Sequence, residues 1–133
     1  MKLLVLATDP VSADSVRQAL PDENLDGAEV LVVSPAVNES ALAFWVSDSD
    51  EAIEEAESAA ERTAAQLRES GARARATTGE SEPLLALQDA LATYPADRVL
   101  VFVREEDEAR YREDDVVGEA ERRFGVPVTE VRG

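Results

Sequence analysis

Whatever this chain does, it does without a thiol or an imidazole: its 133 residues include no cysteine and no histidine. Thiolate catalysis, zinc held by Cys and His, imidazole proton relay and disulfide bonding are excluded together. Carboxylates, Ser and Thr hydroxyls, Tyr and Arg remain, and no spacing among them reads as a catalytic constellation. Two acidic runs, Asp48-Ser49-Asp50-Glu51 and Glu105 to Glu108, gather carboxylates that could attract magnesium or calcium. Neither has the glycine and ligand spacing of a calcium-binding loop, so both are read as solvated acidic faces and no metal site is expected.

More informative positions stand where apolar runs break off. Leu3-Leu4-Val5-Leu6-Ala7 stops at Thr8-Asp9-Pro10, and Val99-Leu100-Val101-Phe102-Val103 stops at Arg104-Glu105. A third run, Val30-Leu31-Val32-Val33, stops at Ser34-Pro35. A strand apolar at successive positions must be covered on both faces, which places all three inside a parallel sheet. In such sheets ligands bind beyond the carboxyl ends of the strands, where the strand order reverses. Thr8 and Asp9, facing Val103 and Arg104 across that point, are therefore the first candidates for contact with a ligand.

The elements that must position these residues follow in strict alternation. Ser12 can cap a short helix that turns Val16, Ala19 and Leu20 inward and ends at Pro21. From 36 to 46 the pattern shows no clean period, and Phe44 and Trp45 read as aromatic side chains sealing a loose connection. Acidic residues from Asp48 suit the start of a long helix whose inward stripe is Ile53, Ala56, Ala60, Ala64 and Leu67, stopped by Gly71. Ala72-Arg73-Ala74-Arg75-Ala76-Thr77 alternates small and charged residues, the mark of a strand with one wet face. Gly79 ends it, Ser81 or Glu82 caps the next helix with Pro83 in its first turn, and Leu84, Leu87 and Leu91 form its buried stripe. Tyr94-Pro95 closes that helix. Val116, Val117, Ala120 and Phe124 mark a fourth helix stopped by Gly125, and Val126 to Val131 is a last strand whose Pro127 argues for an edge. Strands one, two and four are apolar on both faces and strands three and five are not. The expected fold is therefore one α/β domain over residues 1-133, a three-layer α/β/α sandwich with a five-stranded parallel sheet of order 3-2-1-4-5 and four helices.

The formal charge is -16, with 29 Asp and Glu against 13 Lys and Arg. A field of that sign repels phosphate backbones, so neither nucleic acid nor an anionic membrane is an expected partner. With 44% hydrophobic residues in a strong pattern, a folded acidic domain is expected rather than a solvating tail. Lys2 is the only lysine. Many carboxylates, almost no lysine and abundant alanine make the composition similar to proteins of salt-loving archaea. The first apolar run is too short for a signal peptide and no run reaches membrane-spanning length, which makes the cytoplasm the expected compartment.

Strand-helix alternation, the first strand ending in Thr8-Asp9, Thr78-Gly79-Glu80-Ser81-Glu82-Pro83-Leu84 leading into the third helix, and the closing Gly125-Val126-Pro127-Val128-Thr129-Glu130-Val131 together resemble the universal stress protein family. The resemblance spans the whole chain, through short and permissive motifs. It implies that Asp9 faces the adenine or ribose of a nucleotide and that Gly79 can approach a ribose. It also implies, just after the fourth strand, a phosphate loop of the form Gly-x-x-Gly-x9-Gly-Ser/Thr, whose glycines let backbone amides wrap a triphosphate. Here the chain departs from the family: no glycine stands between Gly79 and Gly118. The loop is replaced by Arg104 to Asp115, in which Glu105, Glu106, Asp107, Glu108, Glu113, Asp114 and Asp115 oppose a triphosphate. Arg104, Arg110 and Arg112 offset these only in part and are read as pairing with nearby carboxylates.

The expected function is thus a non-enzymatic regulatory or stress-response domain of this class without ATP or another cofactor, dimeric through its last strand by way of Val126, Val128 and Val131. The alternative is a small-molecule or nucleotide binder, for AMP or an ATP-like ligand, that uses the crevice at the ends of strands one and four. A phosphoryl-transfer domain of the response-regulator receiver kind is disfavoured. Thr77 and Thr78 stand where that fold wants an acceptor Asp, and no late lysine exists. Self-repulsion at this charge is screened by salt. The melting temperature is accordingly expected to rise between dilute buffer and molar KCl, and a thermal melt that does not move would overturn the salt-adapted reading.

Overall fold

A computed structural model describes residues 2–21, 24–35, 49–79, 83–103 and 116–132. Its strands are β1 (Lys2–Ala7), β2 (Glu29–Pro35), β3 (Arg73–Gly79), β4 (Arg98–Val103) and β5 (Val128–Arg132), and its helices are α1 (Ala13–Ala19), α2 (Ser49–Glu69), α3 (Pro83–Thr93) and α4 (Val116–Phe124). All neighbouring strands pair in parallel, in the order β3-β2-β1-β4-β5. The central position of β1 and the edge positions of β3 and β5 are those the sequence pattern implies. Phe44, Trp45, Asp48, Ser81, Glu82, the side chain of Leu84 and the segment from Arg104 to Asp115 lie outside the described residues.

The period of two in β1 divides the core. Leu3, Val5 and Ala7 pack with Val16 and Leu20 of the α1 region and with Ala60, Ala64 and Leu67 of α2. Leu4 and Leu6 point the other way, packing with Ala86 and Leu87 of α3, Tyr94, and Ala120 of α4. Leu3, Leu4, Val5 and Leu6 are all 0% exposed. Each such side chain contributes about 1.5–3 kcal/mol relative to an exposed one, which is why the strand carries no polar residue between Lys2 at its start and Thr8 beyond its end. α1 and α2 cover one face and α3 and α4 the other, as expected when the chain reverses its direction of travel across the sheet between β3 and β4.

Local chemistry sets the boundaries. Ser12 has extended backbone angles and its Oγ accepts the Ser15 N–H at 3.2 Å, capping α1. α2 stops because Gly71 takes φ +97°, where a side chain would be strained, and the N–H groups of Gly71 and Ala72 return to the carbonyls of Arg68 and Leu67. Leu85 faces outward on α3, while Ala86 and Leu87 are buried and Leu91 is half-buried. β3 begins at Arg73 and runs two residues past the expected end at Thr77, because Thr78 and Gly79 still pair with Ser34 and Pro35. β5 begins two residues later than Val126, at Val128.

The β3 edge is managed by a side chain. Arg73 N–H donates to Ala28 O, so alternation turns the Ala74 carbonyl away from β2. Arg68 Nε donates to that carbonyl at 2.8 Å while its Nη1 pairs with Glu61 at 2.8 Å. An outward carbonyl that could template another strand is thereby occupied from within. No helix among the described residues is long and apolar enough to cross a membrane.

Candidate functional site

At the carboxyl ends of the strands, a cleft of about 840 Å³ opens between the β1–α1 turn, α1, and the ends of β4 and β5. Asp9, Pro10, Val11 and Ser12 form one wall and Ser15, Gln18 and Ala19 of α1 extend it. Phe102 and Val103 of β4 and Thr129, Glu130 and Val131 of β5 complete the lining. The volume lies in the range of small-ligand pockets. It exists because α1 lies over β1 but no described helix lies over this face of β4 and β5, leaving Phe102 and Val131 half-buried at the margin of the core.

Two buried hydroxyls hold the turn that carries Asp9. Thr63, in the middle of α2, is 1% exposed; its Oγ1 accepts the Val11 N–H at 2.9 Å while its O–H donates to Ala59 O at 3.0 Å. On the other side Ser34, 0% exposed at the end of β2, donates from Oγ to Thr8 O at 3.4 Å. A strand end leaves backbone donors and acceptors without ladder partners, and burial makes leaving them so expensive. Thr63 and Ser34 satisfy one N–H and one C=O of the turn, fixing its course from two different elements.

The cleft brings together Asp9 and Val103, two of the positions singled out from the sequence. Thr8 is half-buried immediately before Asp9, and its carbonyl is the one held by Ser34. Gly79 lies at the end of β3 beside Pro35, two strands from β1, and does not line this cleft. Arg104 lies outside the described residues. As cleft residues, sequence reasoning missed Ser15 and Gln18 of α1 and the sheet-face residues Phe102 and Thr129; Ser12 was read only as a helix cap and Val131 only as part of a dimer edge. Phe102 alone had a readable signal, as the one aromatic within an otherwise aliphatic β-run.

Chemically the cleft offers the carboxylate of Asp9, several hydroxyl and amide groups, and an apolar floor. Among the described residues no lysine or arginine lines it, and no group of three or more carboxylates is placed to hold a metal ion. These groups can accept and donate hydrogen bonds to a ligand with hydroxyls and a flat apolar part.

No family model matches the chain, and neither does any curated protein. Among solved structures it is similar to a universal stress protein family protein from Arabidopsis thaliana with AMP bound, at TM-score 0.66 and 12% identity over 99% of this chain and 91% of that one. It is also similar to a solved hypothetical protein, at TM-score 0.52 and 14% identity over 98% of this chain and 95% of that one. The fold is that of a universal stress protein.

Thr63 gives a direct test of how the turn is held. Thr63→Val keeps the shape but removes the acceptor from the Val11 N–H, and is expected to cost about 1–3 kcal/mol in urea unfolding. Thr63→Ser keeps the hydroxyl and is expected to cost about 0.8 kcal/mol, the worth of one buried methyl-sized group. Equal losses for the two variants would show that the hydrogen bond does not hold the turn.

Proposed function

We propose that the chain is a non-enzymatic regulatory or stress-response domain of the universal stress type that does not hold ATP. The observation that carries this reading is the passage from β4 to α4. Val103 reaches the cleft at the end of β4, and the sequence from there to Val116 contains no glycine and seven of the chain's carboxylates, from Glu105 to Asp115. A triphosphate needs backbone amides brought close by residues free to take positive φ, and positive charge or a metal to offset its own. The composition of this passage supports neither requirement. The acidic surface also disfavours nucleic acid and anionic membranes as partners, and fits a cytoplasm rich in salt.

A second reading, an AMP-like or other small-molecule binder, is favoured by one observation: the solved universal stress protein family protein to which the fold is similar holds AMP. In this chain Asp9 would accept hydrogen bonds from a ligand's hydroxyls, and Phe102 and Val131 would pack against a flat ring. One phosphate demands far less of the β4–α4 passage than three do.

For assembly we infer a homodimer formed along β5. Arg68 occupies the outward carbonyl of Ala74 at the β3 edge, whereas the alternation set by the hydrogen bond from Val99 N–H to Pro127 O turns the Val128 N–H outward at the β5 edge. Val126 and Val128, half-buried on the α3–α4 face, and Val131 on the other face would gain cover from a second copy.

Two measurements decide these readings. Titration calorimetry with MgATP is expected to show no binding tighter than about 1 mM, and micromolar binding would overturn the first reading. Under the second reading AMP binds measurably and Asp9→Ala removes that binding. Light scattering in molar salt is expected to give the mass of two chains; a monomer would rule out the β5 dimer.

A further inference from the structure

At the amino ends of the strands, the end of the sheet away from the cleft, the register aligns Lys2, Glu29 and Arg73 across β1, β2 and β3. Side-chain alternation puts these residues, and Arg75 after them, on the face covered by α3. Tyr94, immediately after α3, packs into this face and is 5% exposed. Two cations stack on its ring, Lys2 Nζ at 5.9 Å and the Arg75 guanidinium at 5.7 Å from the centroid. Beside them is a cavity of about 450 Å³ whose lining includes Glu29, Arg68, Arg73, Arg75 and Tyr94.

Two features of this cavity are unexplained by the fold. The Tyr94 hydroxyl is buried and has no hydrogen-bond partner among the described residues, an arrangement that native interiors seldom keep without a reason. Burial first, and then the charges of Glu29 and Asp97, raise the pKa of Tyr94 against the opposing effect of Arg75, so the hydroxyl keeps its proton at neutral pH and is a donor. The arginines are the second feature. Arg68 is committed to Ala74 O and Glu61, but Arg73 and Arg75 form no ion pair among the described residues. Both are exposed, side by side on the same face of the edge strand, and no carboxylate among the described residues forms an ion pair with either.

We propose that this cavity is a binding site for a small oxyanion that also carries a hydroxyl, a hydrogen phosphate or a hydroxycarboxylate. The anion's oxygens accept hydrogen bonds from the Tyr94 O–H and from the guanidinium groups of Arg73 and Arg75. Glu29 lies between Lys2 and Arg73 in the register, and its carboxylate accepts the ligand's own O–H. That acceptor sets the specificity: it welcomes an anion with a donor and repels one without. The site is independent of the cleft at the carboxyl ends and of what binds there.

The test uses the whole chain in KCl at constant ionic strength, with inorganic phosphate, malate and sulfate as probes. Phosphate or malate is expected to give saturable heats in calorimetry and a rise in melting temperature, with sulfate, which has no O–H at neutral pH, binding at least about tenfold more weakly. Tyr94→Phe is expected to weaken binding about ten- to hundredfold, and Arg75→Gln by a similar factor, while Asp9→Ala leaves it unchanged. Without the anion, Tyr94→Phe is expected to melt no lower than the parent protein, because it deletes a polar group that has no partner. Absence of saturable binding by phosphate and malate, binding that survives both substitutions, sulfate binding as well as phosphate, or a Tyr94→Phe variant that melts lower in chloride alone would each overturn the proposal.

Discussion

The structure depends on the drying of β1 on both faces. A strand with Leu3, Leu4, Val5 and Leu6 all fully buried must have a ladder on each side for its backbone and a layer of apolar side chains above and below. Parallel neighbours need long crossovers, and each crossover supplies a helix to cover a face. One strand thus demands two neighbours, two helical layers and a reversal of direction. The reversal is what leaves an opening at its carboxyl end.

Where that strand stops, the energetic demand changes kind. Inside the sheet the backbone is satisfied by repetition, but beyond Ala7 every N–H and C=O needs its own partner. Thr63 and Ser34 supply partners from α2 and β2, and both are buried polar residues in otherwise apolar surroundings. α2 can bring Thr63 this close because its inward face is built from Ala56, Ala59, Ala60 and Ala64, which keep the helix low on the sheet. The position of Asp9 is therefore set through Val11 by a helix about fifty residues further along the chain. Fold energetics and the geometry of the candidate site are coupled at that hydrogen bond.

This coupling explains which parts of the molecule could be read from sequence. Strand order followed from burial: runs apolar on both faces are interior, while the Ala-Arg alternation of β3 and the proline before β5 mark edges. Helix limits followed from local chemistry, since Ser12 and Gly71 act on their immediate neighbours. Asp9 and Val103 were legible as a pair because topology alone brings those strand ends together. Thr63 was not, because a threonine in a helix reads as neutral and its partner is remote in sequence. The floor of the cleft was not legible either. Phe102, Thr129 and Val131 follow the same alternation as the core residues beside them, and only the position of α1 decides that they face an opening. Tyr94 read as a helix terminator; its contacts with Lys2 and Arg75 depend on register across three strands, which no local pattern carries.

A parallel sheet also gives its two ends different chemistry, a property absent from antiparallel sheets, where starts and stops mix at each end. Here β1, β3 and β4 start with Lys2, Arg73 and Arg98, and β2 starts with Glu29. Because all strands point one way, residues at their first positions collect at one end, where Lys2, Arg73 and Arg98 stand beside Glu29 and Asp97. The carboxyl ends collect Asp9 and the hydroxyls of Ser12, Ser15 and Thr129. Surface pairing would scatter the few bases among the many acids. Concentrating them at strand starts keeps Arg75 and Lys2 against the Tyr94 ring, where stacking holds a cation without neutralising it. The polarity of the sheet thus gives its two ends different chemistry within a strongly acidic protein.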